Sequence, residues 1–262
     1  MSPATPIITL GEPLIELSSI DSTNIYAISQ VQQQMAVSGS CYRTDFQTHG
    51  KGQHGRVWGS EKGENLLCSY VLSLNDLKKP KENHSKWTPA DQFGLSVAVS
   101  LAVTDFFGSL AGDETQIKWP NDLYWRDRKA GGILIENIIR GAEWTWSVIG
   151  IGININQTQF ATDLGKPVSL QQITGKSWEI PILLKTLSTA LTLRVNQWLA
   201  GAFDKMLIEY NNRLYKKSSI VKFKTKNIQF SGKVIGVNKL GQLIIDQGIE
   251  QTYNFGEINW EI

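Results

Sequence analysis

Residues 143–155, EWTWSVIGIGINI, limit the fold most tightly, because bulky apolar side chains recur at every second position. Trp144, Trp146 and Val148 alternate with Thr145 and Ser147, after which Ile149, Ile151, Ile153 and Ile155 alternate with Gly150, Gly152 and Asn154. A period of two sends successive side chains to opposite faces of a sheet. The segment is therefore a long strand, and its alternation favours an antiparallel sheet with one covered face. Glycine in mid-strand weakens a sheet unless something needs the room. A flat ligand lying on the bare face is one such occupant, and a closely packed helix is the other. No helix follows a G-x-G-x-x-G turn here, so the segment is not a dinucleotide fingerprint.

Shorter strands are predicted over 14–20, 40–46, 66–74, 116–119 and 131–138. Asp21, Ser22, Thr23 and Asn24 offer cap side chains to a helix reaching about Ala36 and ending near Gly39. Thr88-Pro89-Ala90-Asp91 opens a second helix running to about Leu110. Helices are also predicted over 178–199, with Pro181 early in it, and over 203–214. Beyond Lys216 the texture changes: Val221, Phe223 and Thr225 alternate with Lys222, Lys224 and Lys226 in a strand placed at 219–230. Turns expected at Ser231-Gly232, 238–241 and Gln247-Gly248 cut the rest into short strands, a small β barrel or sandwich. The chain thus reads as α+β, a mixed and largely antiparallel sheet packed by helices over 1–215, followed by a small β domain over 216–262.

A length of 262 residues can bury such a core without disulfides. The net charge of +2 is too mild to argue for a nucleic-acid protein. Cys41 and Cys68 lack the spacing of a metal knuckle or redox pair and read as buried thiols. With no basic leader ahead of an apolar core and no apolar run taken as long enough to span a bilayer, a cytoplasmic protein without a membrane partner is expected.

Three segments carry candidate chemistry. The first, 47–63, holds Gly50, Gly52, Gly55, Gly59 and Gly63 together with Lys51, Arg56 and Lys62. Glycines bring backbone N–H groups close to a ligand, and the cations suit a phosphate or carboxylate; an ordinary flexible loop has the same composition. In the second, Lys118-Trp119-Pro120-Asn121-Asp122 ends a strand with a cation, breaks it with proline and presents an amide beside a carboxylate. That segment also reads as a plain turn capped by Asn and Asp. In the third, Lys129 stands before Ala130, Gly131 and Gly132. It points into a cleft unobstructed, or sits in a solvated hairpin.

Taken in order, Asp21–Asn24, the 50–58 loop, 118–123 with 129–134, and 150–156 resemble the motif set of biotin protein ligases. The likeness runs from about residue 14 to the C-terminus. It implies a class II synthetase-like catalytic domain with a small C-terminal SH3-like barrel. It further implies an enzyme that joins biotin to ATP, releases pyrophosphate and passes the biotinyl group to a lysine of a biotin carboxyl carrier protein, with Mg²⁺ neutralising the departing pyrophosphate. Carried onto this sequence, the resemblance assigns Ser22, Thr23, Asn24, Gln47, Gly50, Lys51, Gly52, Gln53, Lys129 and Gly132 to biotin and its acyl-phosphate, with Gly150 and Gly152 as the pocket floor. It assigns Lys51, Arg56, Trp58, Asn121, Lys129 and Asn154 to ATP. The chemistry falls to Lys51, Arg56, Lys118 and Lys129 as cations, and to Asp122 as the group that orients or deprotonates the acceptor lysine. No metal ligands are assigned.

The chain departs from the common Gly-Arg-Gly-Arg-x-Gly-Arg loop at Lys51 and Gln53, where arginine's bidentate grip is lost; looser retention of the adenylate is expected. Too few residues precede Leu14 for a DNA-reading helix-turn-helix, so operator binding is not expected. Edge strands near 144–148 suggest a possible homodimer. The lysine-rich strand beyond Lys216 is a solvated face or a dock for an acidic carrier. A lipoate–protein ligase and a non-catalytic nucleotide or nucleic-acid binder are the competing readings.

Overall fold

The computed structural model describes residues 7–75, 77, 79, 86–161, 166–226 and 228–261. Seven strands make the larger sheet: β1 (Leu14–Leu17), β2 (Cys41–Thr44), β3 (Asn65–Ser73), β4 (Thr115–Lys118), β5 (Asp122–Trp125), β6 (Arg128–Arg140) and β7 (Glu143–Asn154). They lie in the order β1-β2-β3-β7-β6-β5-β4, and only β1 with β2 is parallel. The sheet is thus mixed and largely antiparallel.

Alternation decides what each face meets. Leu66, Cys68, Tyr70 and Leu72 of β3, with Ile149, Ile151 and Ile153 of β7, enter the larger apolar cluster. That cluster is closed by α2 (Gln92–Ala111), α4 (Ile180–Leu199) and α5 (Phe203–Asn212). Val71 and Val148 point the other way, against Ala27 and Val31 of α1 (Thr23–Gln32). A short α3 (Leu170–Thr174) starts at Ser169, whose hydroxyl accepts from the Gln172 N–H. Both cysteines are free and buried.

The Thr88 start forms a capping box with Asp91 and a 3-10 turn before α2 begins. Residues Pro89–Ala111 are, contrary to the expectation from sequence, long and apolar enough to cross a membrane by length and composition, with mean hydropathy 1.6. Its most apolar 18-residue window is 67% buried inside the fold, the setting of a core helix.

The second sheet contains β8 (Ile220–Thr225), β9 (Ile228–Val237), β10 (Leu243–Asp246), β11 (Glu250–Tyr253) and β12 (Asn259–Glu261), in the order β11-β10-β9-β8-β12. The strand expected at 219–230 is a hairpin: β8 ends at Thr225, Lys226 takes a φ of 45°, and β9 returns. No turn interrupts Ser231-Gly232. Gly232 instead makes room for Ile245, whose methyl would lie 2.2 Å from any Cβ there.

Two more expectations fail. Residues 122–125 form β5, which the proline and the Asn-Asp pair disguised as a turn. The 144–148 region is no edge: β7 lies between β3 and β6, paired with both, so it has no free side for a partner subunit.

Candidate active site

One transverse row of the larger sheet carries the site. Backbone register places Lys118 opposite Asp122, Asp122 opposite Gly132, and Gly132 opposite Gly152. Residues opposite one another share a face. Two adjacent glycines therefore form a bare floor on the face away from the main core, with an ammonium and a carboxylate at one end. Gly150, opposite Leu134, extends this floor toward α1.

Lys129 reaches the floor because of a bulge. It lies three positions before Gly132, which in a regular strand would put the two on opposite faces. The pairing Leu123↔Gly131 is followed by Tyr124↔Lys129, so Ala130 is an extra residue. A bulge of this kind re-aims the side chain beside it. Lys129 Nζ accordingly lies 2.6 Å from Asp122 Oδ1, and its Cε would be 3.7 Å from a Cβ at Gly132.

The two readings of the glycine floor are both realised. At Gly150 a Cβ would stand 2.2 Å from Asn24 Oδ1, so this glycine makes room for α1. At Gly152 it would stand 2.7 Å from the Trp58 indole, which lies over Gly152 and Gly132. Trp58 arrives on a loop tied to itself: its N–H donates to Gly50 O at 2.8 Å, and the Gly52 N–H donates to Arg56 O at 2.7 Å. Gly50 is needed there because a Cβ would meet Trp58 O at 2.3 Å.

Beyond the floor the pocket becomes polar and closed. Ser22, Thr23 and Asn24 are buried. Ser22 is the N-cap residue of α1, but its side chain makes no capping hydrogen bond. The Thr23 N–H and hydroxyl both donate to Gln47 Oε1, at 2.8 and 3.1 Å. Ser69 Oγ lies 2.7 Å from Thr23 Oγ1 and 2.5 Å from Asn24 Oδ1. Asn24 Nδ2 donates to Leu134 O and to Glu136 Oε2, at 3.2 and 2.8 Å. Asn24 is thus engaged as a pin between α1, β3 and β6. Ser69 and Glu136 escaped the sequence reading, since only the register of β3 and β6 brings them to α1.

All residues assigned above to biotin, to ATP or to the chemistry, except Gly50, line one cavity of about 770 Å³. Lys51 and Arg56 are exposed at its mouth, whereas Lys62 is not part of it. Asn121 and Asn154 serve the backbone: the Asn121 amide donates to Ile133 O, and Asn154 Nδ2 donates to Lys129 O at 3.4 Å and Val168 O at 3.2 Å. Burial pushes the Lys118 ammonium down from its ordinary value to about 8, partly offset by Asp122 and reinforced by Lys129 and Arg56. Gln53 Oε1, Trp58 Nε1 and Trp260 Nε1 are buried on the cavity wall without a partner among the described residues. Such atoms are costly unless a ligand meets them. Among the described residues, no group of three His, Cys, Asp or Glu side chains is placed to hold a metal.

Phe255, Gly256, Ile258, Asn259 and Trp260 of the C-terminal unit complete the wall. They lie about a hundred residues beyond the last motif, and no local pattern marked them.

This architecture is shared with known proteins. A biotin protein ligase from Aquifex aeolicus, solved in complex with biotin and ATP, superposes with a TM-score of 0.76 at 22% identity, covering 95% of this chain and 99% of that one. The bifunctional ligase/repressor of Escherichia coli is 29% identical over 254 residues, 95% of this chain and 74% of its own length. A biotin–[acetyl-CoA-carboxylase] ligase of Mycobacterium tuberculosis is 26% identical over 87% of this chain and 80% of its own length. Residues 16–154, which contain the second half of β1, all of β2 to β7 and every element of the glycine floor, match the profile of the Biotin/lipoate A/B protein ligase family, and the chain belongs to that family.

Proposed function

We propose that this protein is a biotin–protein ligase, which converts biotin and ATP into biotinyl-5'-adenylate and pyrophosphate and then transfers the biotinyl group to a lysine of a carboxyl-carrier domain. The observation that carries the reading is the glycine floor running from a buried hydroxyl-and-amide end at Ser22, Thr23 and Gln47 to the Lys118, Asp122 and Lys129 cluster. Biotin's ureido ring requires matched donors and acceptors, and its valeryl chain requires an apolar track. The floor's length then delivers the carboxylate to the cations.

In the first step biotin's carboxylate attacks the α-phosphorus and pyrophosphate leaves. The protein supplies no nucleophile, only alignment and stabilisation of phosphate charge. Lys129 and Lys118 act from within the cavity and Lys51 and Arg56 from its mouth. Trp58 offers its indole as a lid over the nucleotide. In the second step the acceptor amine attacks the acyl carbon, AMP leaves, and Asp122 takes up or orients the amine's proton. Lys129 Nζ, 2.6 Å from Asp122 Oδ1, holds that carboxylate in place beside the floor. Among the described residues no cluster offers Mg²⁺ a ready-made cage, which suits an ion held by phosphates and water.

Biotin is favoured over lipoate because a dithiolane ring has no use for the polar end of the pocket. The acceptor we propose is the carrier unit of a biotin-dependent carboxylase. Incubation of the purified protein with ATP and either acid, followed by transfer to a purified carrier domain, tests both points: biotin-dependent pyrophosphate release and a single biotinylated lysine are expected, and lipoate-dependent turnover alone would reject the reading.

A further inference from the structure

Lys118 is held unlike any other cation of the cavity. Lys129 has a carboxylate partner, but Lys118 makes no ion pair among the described residues. Its Nζ donates to the Tyr124 hydroxyl at 3.0 Å and stands 4.7 Å from the Tyr124 ring and 5.9 Å from the Trp260 ring. Aromatic faces attract a cation without consuming its N–H donors. An ammonium has three such donors. Held this way, Lys118 keeps two for an incoming anion, whereas a carboxylate would compete for them.

Trp260 comes from β12, the strand that borders β8 at the edge of the C-terminal sheet, where it stands opposite Phe223. Its ring is fixed by buried neighbours, 5.0 Å from Phe223 and 5.9 Å from Tyr215. Tyr215 in turn lies 5.0 Å from Tyr124 and donates its hydroxyl to Asp127 at 2.7 Å. A continuous aromatic wall thus runs from the interior of the C-terminal sheet to one ammonium on the glycine row.

We infer that Trp260 is a positioning residue, by which the C-terminal sheet holds the Lys118 ammonium toward the cavity for the triphosphate, and this rests on the ligase reading above. Trp260 also covers Lys118 from water, and burial is the main reason that ammonium titrates low. Asp122, Lys129, Arg56 and Tyr124 are the other titratable groups facing it.

The test compares Trp260→Met, which keeps a flexible apolar side chain, smaller than the indole and without a π face, with Trp260→Phe, which keeps a ring but lacks the N–H. Expected for the methionine variant are a five-fold or greater rise in KM for ATP, biotin affinity by titration calorimetry within two-fold of wild type, and an upward shift of the alkaline limb of kcat/KM. The phenylalanine variant, which keeps a π face but loses the Nε1–H, should lie between the methionine variant and wild type in KM for ATP and keep the wild-type limb and biotin affinity. A methionine variant with unchanged KM for ATP and unchanged limb, or a phenylalanine variant as impaired as methionine, overturns the inference. If the methionine variant does not fold, the ε-methylene proton shifts of Lys118 decide: they should move between wild type and Trp260→Phe as the ring current changes, and identical shifts refute the contact. This NMR result is independent of turnover, so failure of the ligase reading, seen as wild-type protein that does not bind biotin, remains distinguishable.

Discussion

The cations of the cavity and those between the helices are arranged in opposite ways. Where α2, α4 and α5 meet, Arg194 and Arg213 share Asp105 and Glu209: Arg194 reaches them at 2.6 and 2.6 Å, Arg213 at 2.5 and 2.7 Å. Each guanidinium faces two carboxylates, and each carboxylate faces two guanidiniums. Burial pushes the Asp105 carboxyl up, but hydrogen bonds from both arginines outweigh it and hold it below the usual carboxylate value. In the cavity Lys129 has one carboxylate, while Lys118, Lys51 and Arg56 have no ion pair among the described residues. The first group is closed on itself and serves the fold. The second leaves positive charge unanswered, which is what a site for a triphosphate requires.

Removing one charge from each group should break this contrast most visibly. Lys129→Ala is expected to slow biotin-dependent pyrophosphate release by roughly ten- to a hundred-fold with little change in Tm; a large loss of Tm with normal release would reverse the assignment. The pH dependence sharpens it next. The reaction needs Lys118 charged and its ammonium titrates at about 8, so release should decline as pH rises through that value, by about ten-fold per unit beyond it. A rate flat to pH 10 would remove Lys118 from the chemistry.

Asp105→Ala should leave two arginines half-buried without a shared carboxylate. Discounted for partial exposure, the cost is about 1–3 kcal/mol, a fall of several degrees in Tm by calorimetry, with adenylation within two-fold of wild type. The sign with pH follows from the depressed carboxyl. Its contribution is full above the unfolded carboxylate value and is lost as pH falls through the folded one, so the variant should lose less of its remaining stability on acidification than wild type. The smallest effect concerns the loop. Gln53→Arg should reduce stray biotinylation of bystander lysines a few-fold, as guanidinium grips phosphate better than an amide; equal labelling by mass spectrometry would show that Gln53 does not set retention.

The two regions also differ in how far the sequence revealed them. The glycines at 132, 150 and 152 and the lysines at 118 and 129 stood out because they break strand periodicity or end it, and a broken pattern is local. Their alignment into one row was hidden, since it depends on register across four strands and on a bulge at Ala130. The β5 strand was missed for a related reason: Pro120, Asn121 and Asp122 carry turn chemistry, yet the chain resumes pairing at Asp122. Asn24 looked like a cap or a ligand group, and only the space over Gly150 shows it as a pin. The Arg194 network and the Trp260 wall join residues about ninety and more than a hundred positions apart. No periodicity of two or 3.6 reports on such contacts.

The most direct measurement is a quench of the wild-type protein with ATP, Mg²⁺ and biotin, counting pyrophosphate against enzyme before any carrier is added. The account predicts biotin-dependent release approaching one equivalent per chain, abolished or strongly slowed in Lys129→Ala. Release that ignores biotin, or that persists undiminished in that variant, would contradict it.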